Sequence, residues 1–149
     1  MTKDQPMTKG NTPILTLSDH RVQANAEKLV LAIAEAADDR KADNLMIFKV
    51  TEVSYLTDYL IIATGFSTTQ VKAIADAIEE KVVATCDKYP LRVEGKREGT
   101  WILQDYGEVI SHIFLPEERE FYNLEAFWGH GEQLQLSQLQ ETVFKADRS

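Results

Sequence analysis

The chain has 149 residues, 44% of them hydrophobic, and a formal net charge of −8 at pH 7. That length suits one domain able to fold without staples, and the acidity disfavours dominant binding to bare phosphate while matching a basic protein surface. Cys86 is the only cysteine, which excludes an intrachain disulfide and suits a reducing cytoplasm, and no apolar run approaches a bilayer span.

Residues 1–13 are polar, with Gly10, Asn11 and two prolines, and predict a flexible arm without the apolar segment of a secretory signal. The chain divides into an arm at 1–17, a single α/β domain at 18–130 and a tail at 131–149. Ser18 or Asp19 is placed to cap a helix running to about Ala37, with Val22, Ala26, Leu29, Ile33 and Ala37 on one stripe. Residues 45–50 read as a short apolar strand and 51–57 as a connection. Residues 59–63 read as a strand buried on both faces.

Ser67-Thr68-Thr69-Gln70 has the form of a capping box. Val71, Ile74, Ala75, Ile78 and Val82 then follow helical spacing, with Lys72 and Asp76 paired on the exposed side. Tyr89-Pro90 closes this unit. Strands follow at 91–94, 100–106 and 109–115. Pro116 suits a first helical turn, and 117–122 is one short helix. Asn123 is placed to cap another, with Leu124, Phe127 and Trp128 on one face and Gly129 as its stop. Residues after Gly131, rich in Gln and Ser, read as a mobile tail or a loosely docked helix. The order implies a mixed α/β sheet of about five strands with flanking helices, a right-handed crossover around 67–85 and later strands antiparallel.

Alternation puts Trp101, Leu103 and Asp105 on one face, and Ile102, Gln104 and Tyr106 on the other. In the next strand Ile110, His112 and Phe114 oppose Val109, Ser111 and Ile113. Neither face is clearly solvent or clearly core, and Trp101 beside Asp105 suggests a sheet surface kept for a partner.

Gly65-Phe66-Ser67 could cradle a phosphate at a helix start. The glycine repeats and lysine of a P-loop are missing, and the capping box already accounts for Ser67. Nor does a carboxylate pair follow at the spacing a polymerising nucleotidyltransferase needs. No two of His20, His112 and His130 are close in sequence, and none pairs with Cys86 in a metal-ligand spacing. His112 reads as a hydrogen-bonded, half-buried strand residue, and Cys86 as a small buried hydrophobe. Phe121, Phe127 and Trp128 read as core, whereas Trp101 and Tyr106 read equally as core or as binding anchors. Asp58, Asp105, Glu108 and Glu125 read as solvated charges unless the fold gathers them beside the aromatics. Arg119 has Glu117, Glu118 and Glu120 as sequence neighbours to pair with.

Asp58-Tyr59-Leu60-Ile61-Ile62-Ala63-Thr64-Gly65, then Ser67, Gln70-Val71 and Ala73-Ile74-Ala75-Asp76, resembles the ribosomal silencing factor family (RsfS, also called Iojap). Arg92-Val93-Glu94-Gly95, Trp101, Asp105-Tyr106-Gly107-Glu108-Val109, His112 and Phe114 continue the match in order. Arg119, Phe121-Tyr122, Leu124-Glu125 and Trp128-Gly129 complete it, so the resemblance covers roughly residues 42–129.

The resemblance implies a nucleotidyltransferase-like core. It also implies docking on the large ribosomal subunit, through its protein number fourteen, so that the small subunit cannot join. No cofactor, catalytic group, membrane or sequence-specific nucleic acid is needed for that. Trp101 and Tyr106 would then be apolar anchors, with Asp105, Glu108 and Glu125 as charge partners; Asp58, His112, Arg119 and Tyr122 belong to the same candidate set. The competing expectation is a nucleotide-acting enzyme of the same fold class. A third is a homodimeric adaptor joined at an open sheet edge.

Overall fold

The structure, a computed structural model, describes residues 17–54 and 56–148, with side chains from Arg21 onward except Tyr55. Strand β2 (Tyr59–Thr64) is the hub, with all six residues buried as its unbroken apolar run predicts. β1 (Asp43–Lys49) pairs with it antiparallel, and β5 (Val109–Phe114) pairs with it in parallel on the other side. The parallel pair is thus β2 with β5; α2 (Thr68–Cys86), β3 (Arg92–Glu94) and β4 (Trp101–Asp105) all intervene in sequence. β4 runs antiparallel to both β3 and β5, as expected.

The sheet has six strands, in the order β3-β4-β5-β2-β1-β6, rather than about five. The sixth comes from the segment read as a mobile tail or a loosely docked helix: β6 (Glu132–Leu134) pairs with β1, Ile47 opposite Leu134. α5 (Leu136–Arg148) follows and buries Leu139 and Val143 in the main core. Leu136, Leu139 and Val143 recur at helical spacing, and that apolar stripe, rather than the surrounding Gln and Ser, decides the fate of the segment. Both sheet edges, β3 and β6, are three residues long and carry charges at Arg92, Glu94 and Glu132, the form in which edges are blunted against further pairing.

α1 (Leu17–Asp39) lies on α2 and α5, and the three cover one face of the sheet. Ala26, Leu29, Ile33 and Ala37 are buried as the stripe predicts, but Val22, in an exposed run at 21–23, is 58% exposed. The arm expected at 1–17 falls, apart from Leu17, outside the described residues. Because α1 begins at Leu17, Ser18 and Asp19 lie in its first turn rather than at its cap.

The capping box forms: Gln70 N–H donates to Ser67 Oγ at 3.0 Å. Gln70 Oε1 reaches one residue further back than the usual pattern and accepts from Phe66 N–H at 2.8 Å. Val71, Ile74, Ala75, Ile78 and Val82 are the buried residues of α2. The expected Lys72–Asp76 pair is replaced by Lys96–Asp76 at 3.5 Å, since the β3–β4 connection lies over the start of α2. Gly95, at φ +83, makes that connection tight, because a Cβ there would collide with the Trp101 carbonyl oxygen.

The other sheet face carries a second cluster, Phe48, Val50, Leu60, Ile62 and Phe114. Burying each such side chain contributes about 1.5–3 kcal/mol. Its only helical cover among the described residues is α3 (Pro116–Tyr122) and α4 (Leu124–Trp128). Pro116 does occupy the first turn. Asn123 does not cap α4 through its side chain; it joins the helices in a left-handed conformation, φ 47 and ψ 55. Gly129 follows α4 at φ −69, so it is needed for space against the Glu125 carbonyl and not for a left-handed stop.

Candidate docking face

Burial decides between the two hairpin faces that alternation left open. Ile102, Tyr106, Val109 and Ile113 point into the helix-covered core. Gln104 lies on that side, donating to Ala75 O at 2.9 Å and Glu79 Oε2 at 3.0 Å while accepting from Ser111 Oγ at 2.8 Å. Tyr106 is 4% exposed and its hydroxyl has no hydrogen-bond partner. Burial, reinforced by nearby Glu79, pushes that phenol well above its ordinary value. Tyr106 is therefore a core residue and leaves the candidate surface, because strand parity puts it opposite Trp101.

On the thinly covered face an aromatic stack grows from Trp101. Its ring lies 4.9 Å from Phe114 and 4.5 Å from Tyr122, and Tyr122 meets Phe121 edge-on at 5.0 Å. Trp101 Nε1–H donates to His112 Nδ1 at 3.0 Å, which holds the indole over the sheet. His112 is buried, and burial lowers its pKa to about 4, so the imidazole is neutral near pH 7.

Phe121 and Phe127 do not join the core: they are 80% and 70% exposed. α3 and α4 are too short to bury more than one side each, so Leu124 and Trp128 pack on the sheet while the phenylalanines face outward. Met46 and Ile110, half-buried, extend the same apolar face. Of these six residues, Phe121 and Phe127 depart from the core expectation and Met46 was missed, whereas Trp128 packs as core with Leu124 on its side, and Ile110 shares the face of His112 and Phe114, both as expected; continued alternation through β1 was the available signal for Met46.

Arg119 ignores its neighbours Glu117, Glu118 and Glu120. It is 6% exposed, donates from Nε to Glu125 Oε2 at 3.0 Å and from Nη1 to Thr64 Oγ1 at 2.9 Å. Arg119 and Glu125 thus fasten α3 and α4 to the end of β2 beside Trp101, and neither is a free surface charge.

The remaining carboxylates gather at the opposite end of the sheet. Asp105 closes its own turn, accepting from Gly107 N–H at 2.8 Å, and faces Arg92 at 3.4 Å. Glu108 pairs with Lys88 at 3.2 Å, and its carbonyl accepts from Asp58 N–H at 2.9 Å. Trp101 and Asp105 share a face but stand roughly 13 Å apart, at about 3.3 Å per strand residue. The expected site therefore divides: Trp101, His112, Arg119, Tyr122 and Glu125 at one end, Asp58, Asp105 and Glu108 at the other.

At the start of α2, the one place where the sequence offers a phosphate cradle, the backbone N–H groups of Phe66 and Gln70 are taken by the capping box. Cys86 is free and half-buried at the end of that helix. Among the described residues no group of three or more His, Cys, Asp or Glu could hold a metal ion. No described helix is long and apolar enough to cross a membrane.

The fold and this face define an α/β domain whose sheet is thickly covered on one side and left partly open, with aromatics, on the other. The sequence profile described as "Ribosomal silencing factor during starvation" matches residues 23–149, and the chain belongs to that family, RsfS. The match reaches beyond the stretch at 42–129 that carried the resemblance and takes in β6 and α5. The chain is 36% identical over 107 residues to the ribosomal silencing factor RsfS of Zymomonas mobilis, covering 72% of this chain and 80% of that protein. It is 37% identical over 118 residues to the chloroplastic protein Iojap of Arabidopsis thaliana, covering 77% of this chain and 48% of that one. A crystal structure of a Chromobacterium violaceum protein superposes with a TM-score of 0.68 at 31% identity, covering 74% of this chain and 90% of that one.

Proposed function

We propose that this protein docks on the large ribosomal subunit, through its protein number fourteen, and sterically blocks joining of the small subunit. The observation that carries the reading, given the family, is the partly open sheet face. Phe121 and Tyr122 are exposed there in the Trp101 stack, and Phe127 is exposed on α4 beside Trp128, next to a sheet whose other side is closed by three helices. Large aromatics held by their own neighbours make binding anchors at low entropic cost. Glu117, Glu118 and Glu120 on α3 set carboxylates beside them, and the chain as a whole carries −8. A basic ribosomal protein complements both properties. Silencing by obstruction makes and breaks no covalent bond, so it asks only for affinity and bulk.

The test is light scattering of separated subunits with and without an excess of this protein, together with co-sedimentation with each purified subunit. The expected result is a lower yield of joined ribosomes and co-sedimentation with the large subunit alone. Unchanged joining with folded protein present sinks the proposal.

A further inference from the structure

We infer that Arg119 is a positioning residue of the docking face: it holds α4 through a fork that is half closed in the free protein, and docking of the partner closes it. This rests on the reading above, with a basic protein surface as the partner. Arg119 is 6% exposed. Nη1 is taken by Thr64 Oγ1 and Nε by Glu125 Oε2. Nη2 and Glu125 Oε1 are both buried, and neither has a hydrogen-bond partner. Nε–H and Nη2–H lie side by side on one edge of the guanidinium, the arrangement that meets both oxygens of a carboxylate. The two orphaned atoms are therefore the missing half of a single bidentate pair. Both are already desolvated, so making that bond gains attraction without further loss of water.

The helix on the far side of this fork is short and lightly seated. α4 has five residues, and its seat on the sheet consists of Leu124 and Trp128. It joins α3 through Asn123 alone, whose N–H donates to Arg119 O at 2.9 Å. A small rotation about that residue would bring Glu125 Oε1 to Arg119 Nη2 and carry Phe127 with it. A partner that grips exposed Phe127 thus acts on the same helix that the fork restrains.

The experiment is amide hydrogen exchange at Asn123 and Ala126, both hydrogen-bonded within this segment, on free protein and on protein bound to purified large subunits. Binding is expected to slow exchange at these amides by tenfold or more. Glu125→Gln keeps one acceptor for Nε but removes the second, so the fork cannot close. It should abolish that slowing and weaken binding by tenfold or more, while exchange in α1 and α2 stays as in the parent. Arg119→Lys should do the same and also speed exchange at Asn123 and Ala126 in the free protein. Phe127→Ala, by contrast, should weaken binding without changing free-protein exchange. Parent-like binding of Glu125→Gln, or equal exchange at these amides in free and bound parent protein, overturns the inference. If the parent protein does not bind large subunits, the docking reading fails by itself. The free-protein arm then decides the restraint: it falls if neither substitution speeds exchange at Asn123 and Ala126 more than in α2.

Discussion

The indole of Trp101 donates its only N–H to Nδ1 of His112, 3.0 Å away. A bond of that polarity needs an unprotonated Nδ1, so His112 is neutral with its proton on Nε2. The most exposed-leaning aromatic of the sheet is thus held by a histidine that must stay uncharged.

Acid should loosen this arrangement. Burial lowers the His112 pKa to about 4, while the unfolded chain titrates near the ordinary value of 6.5. Above about pH 6.5 the group leaves stability unchanged. As pH falls from there towards 4 the unfolded state binds the proton first, and up to about 3 kcal/mol is lost. Chemical denaturation of the parent protein and of His112→Gln between pH 7.5 and 4 should show the parent losing more stability than the variant.

Trp101 should report on binding and stability separately. Trp101→Phe keeps a ring against Phe114 and Tyr122 but removes the donor to His112, for an expected stability loss of about 1 kcal/mol. Trp101→Ala removes the anchor, and binding to large subunits should weaken by about 2 kcal/mol or more. Thermal melts and pull-downs on the same samples check both. Normal binding by the folded fraction of Trp101→Ala would assign the residue to the core alone.

Phe121→Ala and Phe127→Ala should behave oppositely to core truncations. Both rings are largely exposed, so each substitution should leave stability within about 0.5 kcal/mol. Binding should fall by about 1 kcal/mol or more at whichever ring meets the partner. Isothermal calorimetry against purified large-subunit protein number fourteen measures this.

Gln104 provides the control on the opposite face. It is fully buried and connects Ser111, the Ala75 carbonyl and Glu79. Gln104→Ala should cost about 2–4 kcal/mol, since it opens a cavity and strands the Ser111 hydroxyl. The cost of adding Ser111→Ala should be smaller in that background than alone. Binding per folded molecule should not change, because this network lies on the helix-covered side.

Much of the frame was legible because it is local. The β2 run, the α2 stripe and the Ser67–Gln70 cap each depend on residues within a few positions of one another. What depended on distant partners was not. β6 is three residues with no alternation, and only its register with β1 makes it a strand. Arg119 looked committed to adjacent glutamates, yet those point away along α3 while Glu125 returns across the Asn123 turn. Of the candidate site, Trp101 and Tyr122 were both named, but their stacking could not be read, since it needs α3 folded back over β4. The Tyr106 side was readable from parity, whereas which face would be core was not. That was settled by where the three long helices lie.

The order in which the strands meet also bears on how the chain folds. The central pairing sets Tyr59 against Val109, and the last strand returns so that Leu134 meets Ile47. Such distant pairings require large loops to close before any contact compensates for the lost freedom. Assembly should therefore be slower than that of a helical bundle of equal length. The β3–β5 meander can form from near neighbours, while β6 and α5 find their places only once the early helix and strand are in position.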